Sequence, residues 1–228
     1  IGGATSQATS EDIRRLKTLV QNIRQFIIDK MVPDAYTIAD YYKDYFKNGQ
    51  SCGNLLSYGC FDNYEELGTL YVDPLVYTSG LVRKFEPDEI TENIHSSWYT
   101  AQKETYTPYD TVAEPDISKS KGYSWVKAPR YEGMPYEVGP LARMWLCGEY
   151  RNGISTMDRT LARVLEAKKL TGIILTLLNN LVLGIDVQRE YEVPRSAYGA
   201  GLIDTTRGAL GHWLKIDNGL ISLYQIIT

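Results

Sequence analysis

The sequence is poor in residues that commonly hold metals: its 228 residues include three cysteines and two histidines. No two of the cysteines form a C-x-x-C pair, and no histidine lies at ligand spacing from one of them. Protein zinc sites usually combine such residues at short spacing. The sequence therefore predicts no metal site held by this chain alone, and we expect Cys52, Cys60 and Cys147 to be small buried apolar residues. A short-loop disulfide between Cys52 and Cys60 is the alternative.

The sequence also lacks an excess of positive charge and a long hydrophobic run. Its net charge of -4 offers no broad attraction to phosphate, which argues against nucleic acid as a partner. The longest apolar stretch, Gly172 to Ile185, is broken by Asn179 and Asn180 and is too short to span a bilayer. We expect it to form a buried core helix. Because no initiating methionine or signal peptide precedes Ile1, the sequence is expected to be a segment of a longer protein.

Helices are predicted at the start of the chain and after its middle. Ser10 is expected to cap a first helix that ends at Pro33, and Asp34 to cap a second. Gly139 and Pro140 are expected to open a helix, and a long one begins at Ser155. The first helix has apolar residues at the helical period: Ile13, Leu16, Val20, Ile23, Ile27 and Met31.

Strands are predicted in the other parts of the chain. From Gly49 to Gly122, tyrosines alternate with turn-forming residues, which indicates short strands with long connections. Two short extended runs are expected around "YEGMP". At the C-terminus "HWLKI" and "LISLYQII" flank "DNG", a strong signal for a tight hairpin turn. The predicted fold class is α+β and helix-dominated, with long core helices and small antiparallel hairpins.

Four stretches carry a resemblance to a known family: "GGAT" at Gly2–Thr5, "DYYKDYF", "YSWVKAPRYEGMPYEVGPLARM" and "GLIDTTRGALGHW". Together they resemble the large, catalytic subunit of nickel-iron hydrogenases, especially the uptake type. The resemblance is collinear, but both cysteine motifs of the family, an N-terminal C-x-x-C and a C-terminal C-x-x-C followed by histidine, are absent. It implies that residues 1–228 are a single segment from the centre of that subunit.

The resemblance implies reversible oxidation of dihydrogen at a nickel-iron centre in the complete subunit. Four cysteine thiolates would hold the metals, the iron would carry carbon monoxide and cyanide, and a magnesium or iron ion would bind nearby. The implied partners are an iron-sulfur small subunit and the remaining N- and C-terminal parts of the large subunit. The implied location is periplasmic or membrane-associated, with a cytoplasmic one as the alternative. The isolated segment is expected to be inactive.

The family's site pattern is a glycine, four residues, Pro-Arg-Gly, three residues and a histidine. Gly201, Arg207, Gly208 and His212 match it, whereas Thr206 stands where proline is usual. By resemblance, Arg207 would donate to an iron-bound cyanide and place a positive charge over the metals. Gly208 would permit close backbone approach. Leu210 would form an apolar wall.

Alternatives to these roles stay open. Arg207 is otherwise a solvated charge at the edge of a strand, and His212 a hydrogen-bonded core residue. Glu137 would lie toward the magnesium or iron ion through water, or would act as a helix-initiating charge. Lys127 and Arg130 are expected to make structural ion pairs or hydrogen bonds near the same region.

A different class of function is also consistent with the sequence. The alternative is a metal-free relative with a structural or quinone-binding role, as in a subunit of the quinone-reducing respiratory complex that has the same fold. The "PRYEGMPYEVGPLARM" and "RGALGHW" runs favour the hydrogenase. We also expect the apolar end of the long helix and the terminal hairpin to pack against other segments or a partner subunit.

Overall fold

The computed structural model describes residues 7–100, 103–111, 114–184 and 192–228, so "GGAT" and Ile185 lie outside the described residues. The chain divides into two compact units: residues 1–50 with 150–192, and residues 51–149 with 193–228. The described residues form four α-helices: α1 Ser10–Phe26, α2 Val32–Tyr41, α3 Pro140–Leu146 and α4 Thr156–Asn180. Their strands are β1 Leu55–Ser57, β2 Leu75–Thr78, β3 Leu81–Lys84, β4 Ile90–Asn93, β5 Thr105–Tyr106, β6 Ala128–Tyr131, β7 Ser196–Asp204, β8 Ala209–Asp217 and β9 Leu220–Ile227.

Helix α1 is capped one residue earlier than predicted, by Thr9 instead of Ser10. The Asp12 amide donates to Thr9 Oγ1 at 3.2 Å, and the Thr9 amide donates to Asp12 Oδ2 at 2.9 Å. Thr9 has an acidic residue three positions later, which makes this reciprocal capping arrangement possible. The cap prediction identified the right region but the wrong residue.

The predictions that Pro33 ends the first helix and that Asp34 caps the second are wrong. A π-helical turn, Ile27–Met31, follows α1 directly, and α2 begins at Val32 with Pro33 in its first turn. The Val32 amide donates to the Ile27 carbonyl, a bond that spans five residues. A proline is tolerated in a first helical turn because its missing N–H needs no partner there.

The first unit is built on α4, against which α1 and α2 both pack. Arg24 of α1 donates to the Lys168 carbonyl at 2.6 Å and to Thr171 Oγ1 at 3.1 Å, which ties α1 to the middle of α4. Much of the predicted apolar face is exposed, however: Ile23 is 53% exposed, whereas Ile27 is buried. The helices are long as predicted, but α1 itself has no buried residue and is not a core helix.

Helix α4 begins as predicted and ends differently. Ser155 is its cap, and the Ser155 amide donates to Asp158 Oδ2 at 2.7 Å. Tyr150 donates to the other oxygen of this buried carboxylate at 2.6 Å. The stretch from Gly172 onward is not a buried core helix, because α4 ends at Asn180 and the following Leu181 is exposed.

The second unit contains three antiparallel three-stranded sheets, ordered β1-β2-β3, β5-β4-β6 and β7-β8-β9. The strands before Gly122 have two to four residues each, which confirms short strands. Long connections are confirmed only in part, because β2 and β3 are joined by the two residues Ser79 and Gly80. The second extended run after "YEGMP" is not a strand; Met134 and Glu137 form isolated bridges there, to Tyr131 and Leu55. The turn itself is present, with Glu132 at φ 50° and Gly133 at φ 73°.

The predicted hairpin at "DNG" joins β8 to β9. Asn218 and Gly219 have φ values of 53° and 78°, the left-handed conformation that such two-residue turns require. One face of β8 supplies Ala209 and Trp213 to the core of the second unit. The rest of that core comes from earlier strands and loops and from β9: Leu56, Tyr58, Val76, Phe85, Ile90, Tyr131 and Ile227.

The predicted fold class, α+β, is confirmed. Helices account for 35% of the residues and strands for 27%, so helices exceed strands as expected. The long helices lie in the first unit and the sheets in the second, with α3 as the one α-helix of the second unit among the described residues.

Candidate site at the turn that carries Arg207

Arg207 lies in a tight turn between β7 and β8. The Thr205 amide donates to the Gly208 carbonyl at 2.7 Å, and the Gly208 amide donates back to the Thr205 carbonyl at 3.2 Å. Thr206 and Arg207 are therefore at the tip, and both are exposed. Within the described part of the chain, no acceptor is bonded to the Arg207 guanidinium. The structure thus presents a fully charged group with free donors at the end of a hairpin.

Two glycines bring the backbone of this turn against the residues before α3. A Cβ on Gly208, which has φ 146°, would lie 2.5 Å from Val138 Cγ2 and 2.9 Å from the Gly139 nitrogen. A Cβ on Gly139, with φ 99°, would lie 2.5 Å from the Arg207 carbonyl oxygen. Side chains larger than hydrogen do not fit at either position. Gly208 therefore permits close approach of this turn to the backbone at Gly139.

Leu210 and His212 lie on the face of β8 opposite Ala209 and Trp213, because side chains alternate along a strand. Both are half-buried. His212 Nδ1 is 2.6 Å from the Tyr224 hydroxyl, on the neighbouring strand β9. His212 therefore has a hydrogen-bond partner within the sheet, as a structural histidine would. Its other ring nitrogen, Nε2, takes no part in the bond to Tyr224.

Glu137 is half-buried and is held through its backbone. Its carbonyl accepts a hydrogen bond from the Leu56 amide at 2.9 Å, and its amide donates to the Asn54 carbonyl at 2.9 Å. Since Glu137 is two residues before Gly139, the fold brings its segment next to the Arg207 turn. The backbone of Glu137 is thus held by pairing with Asn54 and Leu56, two residues before Gly139.

Arg143 and Asp204 form a buried ion pair that the sequence did not suggest. The Arg143 Nη1 to Asp204 Oδ2 distance is 3.2 Å, and the two side chains are 2% and 0% exposed. Arg143 also donates to the Thr205 carbonyl at 2.8 Å and to the Thr206 carbonyl at 3.3 Å. The guanidinium therefore holds the backbone of the turn that carries Arg207.

Strand β1 and the residue after it complete the surroundings of Asp204. Ser57 Oγ donates to Asp204 Oδ2 at 3.1 Å, and the Tyr58 amide donates to Asp204 Oδ1 at 3.0 Å. Burial raises the pKa of the Asp204 carboxyl, while the Tyr58 amide, Arg143 and Ser57 oppose that shift. Burial, and then the nearby Asp204 charge, raise the pKa of the Tyr58 hydroxyl. This carboxylate is a structural anchor that accepts hydrogen bonds from Ser57, the Tyr58 amide and Arg143.

One signal in the sequence could have located Arg143. It is the single charged residue in "PLARMWL", the sequence of α3, whose other residues are apolar. Charged residues are almost never fully buried unless they are paired. An arginine in such a helix therefore predicts a buried acidic partner, which Asp204, at the end of β7, provides.

The cysteines depart from expectation. Cys60 is buried as predicted, whereas Cys52 is exposed and Cys147 is half-buried. None of the three forms a disulfide bond, so the alternative of a Cys52–Cys60 disulfide is wrong. Among the residues that the structure describes, no group of three or more histidine, cysteine, aspartate or glutamate side chains is arranged to hold a metal ion.

Lys127 and Arg130 make the polar contacts expected of them. Lys127 Nζ donates to Thr111 Oγ1 at 2.5 Å and lies 3.8 Å from Glu92 Oε2. Arg130 donates to the Pro129 carbonyl at 2.7 Å. Neither side chain is part of the Arg207 turn.

Comparison with known proteins assigns this chain to a family. The family model described as nickel-dependent hydrogenase matches residues 1–153 and 147–228. The chain is 29% identical to the periplasmic [NiFeSe] hydrogenase large subunit of Desulfomicrobium baculatum, covering 100% of this chain and 49% of that protein. It is 26% identical to the uptake hydrogenase large subunit of Rhizobium leguminosarum bv. viciae, covering 99% and 48%. The chain thus spans about half the length of these relatives.

Solved structures give the same result for the fold. The reduced, active form of the Ni-Fe-Se hydrogenase from D. baculatum superposes with a TM-score of 0.92 at 27% identity, over 100% of this chain and 52% of that one. The as-isolated oxidized Ni-Fe-Se hydrogenase from D. vulgaris Hildenborough superposes with a TM-score of 0.90 at 32% identity, over 100% and 53%. The resemblance noted in the sequence is confirmed: the chain belongs to the nickel-dependent hydrogenase family.

Proposed function

We propose that residues 1–228 are the central part of the catalytic large subunit of a nickel-iron hydrogenase, which reversibly oxidises dihydrogen to protons and electrons. The observation that carries this proposal is the match, over the whole chain, to the large subunits of [NiFeSe] hydrogenases in both sequence and fold. Because the chain spans about half of those relatives, the activity is proposed for the complete subunit and not for this segment alone.

The residues present do not fit a nickel-iron centre by themselves. The described residues offer no cluster of metal ligands, and the sequence has no closely spaced cysteine pair. We assign the thiolate ligands, and with them the carbon monoxide, the cyanide and the magnesium or iron ion, to a site completed by parts of the subunit outside this sequence. The contribution of this chain is then the protein environment beside the centre.

Arg207 is the residue to which we assign a catalytic role in that environment. A guanidinium is protonated at all relevant pH values and offers several N–H donors in a fixed plane. Exposed at the tip of the turn, it is free to donate to an anionic group and to hold a positive charge beside it. Gly208 lets the turn approach the backbone at Gly139, and Leu210 supplies apolar surface on the following strand.

Glu137 and His212 have proposed supporting roles. The segment of Glu137 packs beside the Arg207 turn, which supports a role for its carboxylate toward a hard cation, through water. His212 is hydrogen-bonded to Tyr224, so we propose that it helps to hold β8 and β9 together beside the site. Thr206 stands in the position of the usual proline, and its carbonyl accepts a hydrogen bond from Arg143.

The names of the relatives support proposals on partners and location. They are called large subunits, one of them periplasmic and another of the uptake type. We infer an iron-sulfur small subunit as the electron acceptor and a periplasmic or membrane-associated location. Among the described helices, none combines the length and apolar character needed to cross a membrane.

The test is a metal and activity measurement on the native polypeptide that contains this sequence. It would be purified without oxygen, its nickel content determined, and its dihydrogen-dependent reduction of a redox dye followed. We expect one nickel per polypeptide, dye reduction, and two cysteine pairs in the flanking coding sequence. An intact gene without those pairs, with no nickel and a bound quinone in the protein, would instead identify the metal-free alternative.

A further inference from the structure

The short helix α3 presents two residues to the Arg207 turn. Gly139 and Arg143 are four positions apart, which places them on the same side of the start of α3. Both contact residues 204–208: Gly139 through the close approach of its backbone, and Arg143 through its guanidinium. This is an unusual use of a helix whose other residues are almost all buried apolar side chains.

The two residues fix three successive carbonyl groups of the turn. Arg143 Nη1 binds the Thr205 carbonyl at 2.8 Å, and Nη2 binds the Thr206 carbonyl at 3.3 Å. The Arg207 carbonyl lies so close to Gly139 that a Cβ there would be 2.5 Å away. Because consecutive peptide planes set the direction of the Cα–Cβ bond between them, these contacts from Gly139 and Arg143 fix the direction in which the Arg207 side chain leaves the backbone.

An arginine suits this task because its nitrogens diverge in one plane. One nitrogen is shared between Asp204 Oδ2 and the Thr205 carbonyl, while the other reaches the Thr206 carbonyl. Lysine would carry the same charge on a single nitrogen and would not reproduce this planar arrangement. Asp204 accepts hydrogen bonds from Ser57 of β1 and from the Tyr58 amide, so the carboxylate that pairs with the guanidinium is itself held in place.

We propose that Arg143 is a positioning residue for the hydrogenase reaction: with Gly139, it holds the Thr205–Gly208 turn so that Arg207 points in one direction. The catalytic part of this inference rests on the function proposed above. The positioning part does not, since it concerns the order of the turn and can be measured without turnover.

The first test is Arg143→Lys in the assembled native protein, followed by amide hydrogen exchange. We expect exchange at the Thr205 and Gly208 amides to accelerate about tenfold, the factor for losing one charge-assisted hydrogen bond. Exchange at Trp213, in the same sheet, should keep the parent rate. Arg83→Lys is the matched control, because Arg83 pairs with Glu132 at the surface, where it does not contact this turn.

The second test approaches the turn from Gly139, in case Arg143→Lys does not fold. Gly139→Ala adds a methyl group against the Arg207 carbonyl, and it also strains a backbone with φ 99°. Gly53→Ala imposes similar strain at φ 86° but meets nothing within 4 Å. We expect accelerated exchange at Thr205 and Gly208 in the first variant and not in the second.

Turnover separates the two proposals. If the parent oxidises dihydrogen, Arg143→Lys should lower kcat per bound nickel about tenfold with little change in KM, because the direction of a catalytic group is lost and substrate binding is not. A parent without this activity would sink the proposed function and leave the exchange result to decide positioning. Parent exchange rates at the turn in both Arg143→Lys and Gly139→Ala, or equal acceleration at Trp213, would overturn the positioning role.

Discussion

Gln225 donates a hydrogen bond to the Glu92 carboxylate at 2.5 Å and so joins the last strand of the β7-β8-β9 sheet to the middle strand of the β5-β4-β6 sheet. Thr111 donates to the same oxygen at 3.3 Å, and Lys127 Nζ lies 3.8 Å from it. Burial raises the pKa of the Glu92 carboxyl, and the Lys127 charge opposes this shift without cancelling it. The ionised form is therefore less favourable in the folded protein than in the unfolded chain.

This asymmetry predicts a stability that falls as pH rises. A carboxyl whose folded pKa lies above its usual 4.5 contributes stability that is fully present below that pH and is lost as pH rises through the folded pKa. Glu92→Gln cannot ionise and should lack this dependence. Urea unfolding between pH 4 and 7 should show the parent losing stability relative to Glu92→Gln as pH increases.

Glu104→Gln is the control of opposite sign. The hydrogen bond from His95 lowers the pKa of the exposed Glu104 carboxyl, so its contribution is present above pH 4.5 and lost as pH falls through the folded pKa. The parent should therefore lose stability relative to this variant on acidification. The same slope in both variants would contradict the assignment of the first effect to Glu92.

Asp204→Ala tests the buried ion pair as a source of stability. It leaves the Arg143 guanidinium buried without its carboxylate, a change that typically costs about 3–5 kcal/mol in the free energy of unfolding. The urea midpoint should fall accordingly. Asp110→Ala, which removes the partner of Lys103 from an exposed pair, should leave the midpoint in place. Equal midpoints for both variants would show that Arg143 finds another partner or water.

Arg207→Lys tests the catalytic assignment. Lysine keeps the charge but loses the planar set of donors, and loss of one preorganised donor commonly lowers turnover about a hundredfold, roughly 3 kcal/mol. We expect nickel and iron to stay bound while dihydrogen oxidation falls by about that factor. The measurement is turnover per bound nickel in variant and parent. Full turnover would make Arg207 a surface charge, and loss of the metals would assign it to assembly.

Thr206→Pro tests the departure from the family pattern. The Thr206 carbonyl accepts a hydrogen bond from Arg143, and proline retains this carbonyl. The two backbone bonds of the turn join Thr205 and Gly208, so proline removes neither. We expect the variant to be tolerated and to gain about 0.4–1 kcal/mol by restricting the unfolded chain. A lower urea midpoint than the parent would show that the turn needs the threonine conformation.

Exposed apolar side chains predict association of the 1–228 chain. In β9, Leu220 is 74% and Ile221 65% exposed, and Val182, after α4, is 66% exposed. Sedimentation velocity should show a mean size that increases with concentration. Ile221→Ser should weaken this association more than Leu81→Ser, which changes an equally exposed residue in the β2–β3 hairpin. A single monomer at all concentrations would contradict it.

The sequence predicted those elements whose signals are local. Ser155 with Asp158 gives the start of α4, Asn218 with Gly219 gives the hairpin, and in each case a few neighbouring residues determine the backbone. Burial was predicted less well: Ile23 and Leu181 follow apolar patterns and are nevertheless exposed. A periodic pattern shows which residues share a face, and not whether anything covers that face.

The candidate site was predicted only in part for a related reason. Arg207 and Gly208 lie within one short motif, so the resemblance located them together. The Arg143–Asp204 pair joins residues 61 positions apart, and its significance depends on burial that only the fold provides. Pro33 was misinterpreted because a local rule for helix ends does not consider a π-helical turn.

The π-helical turn Ile27–Met31 also determines which side chains of α2 face α4. A turn with bonds from residue i to i+5 holds about one residue more than an α-helical turn, and one residue corresponds to about 100° of rotation. Ala35 and Ala39 are the buried residues of α2, and without that extra residue they would be rotated by about 100° relative to α1. Deleting one residue from Ile27–Met31 would leave a continuous helix with a different side turned toward α4. The helical register before Ile27 therefore does not determine which side of α2 is buried.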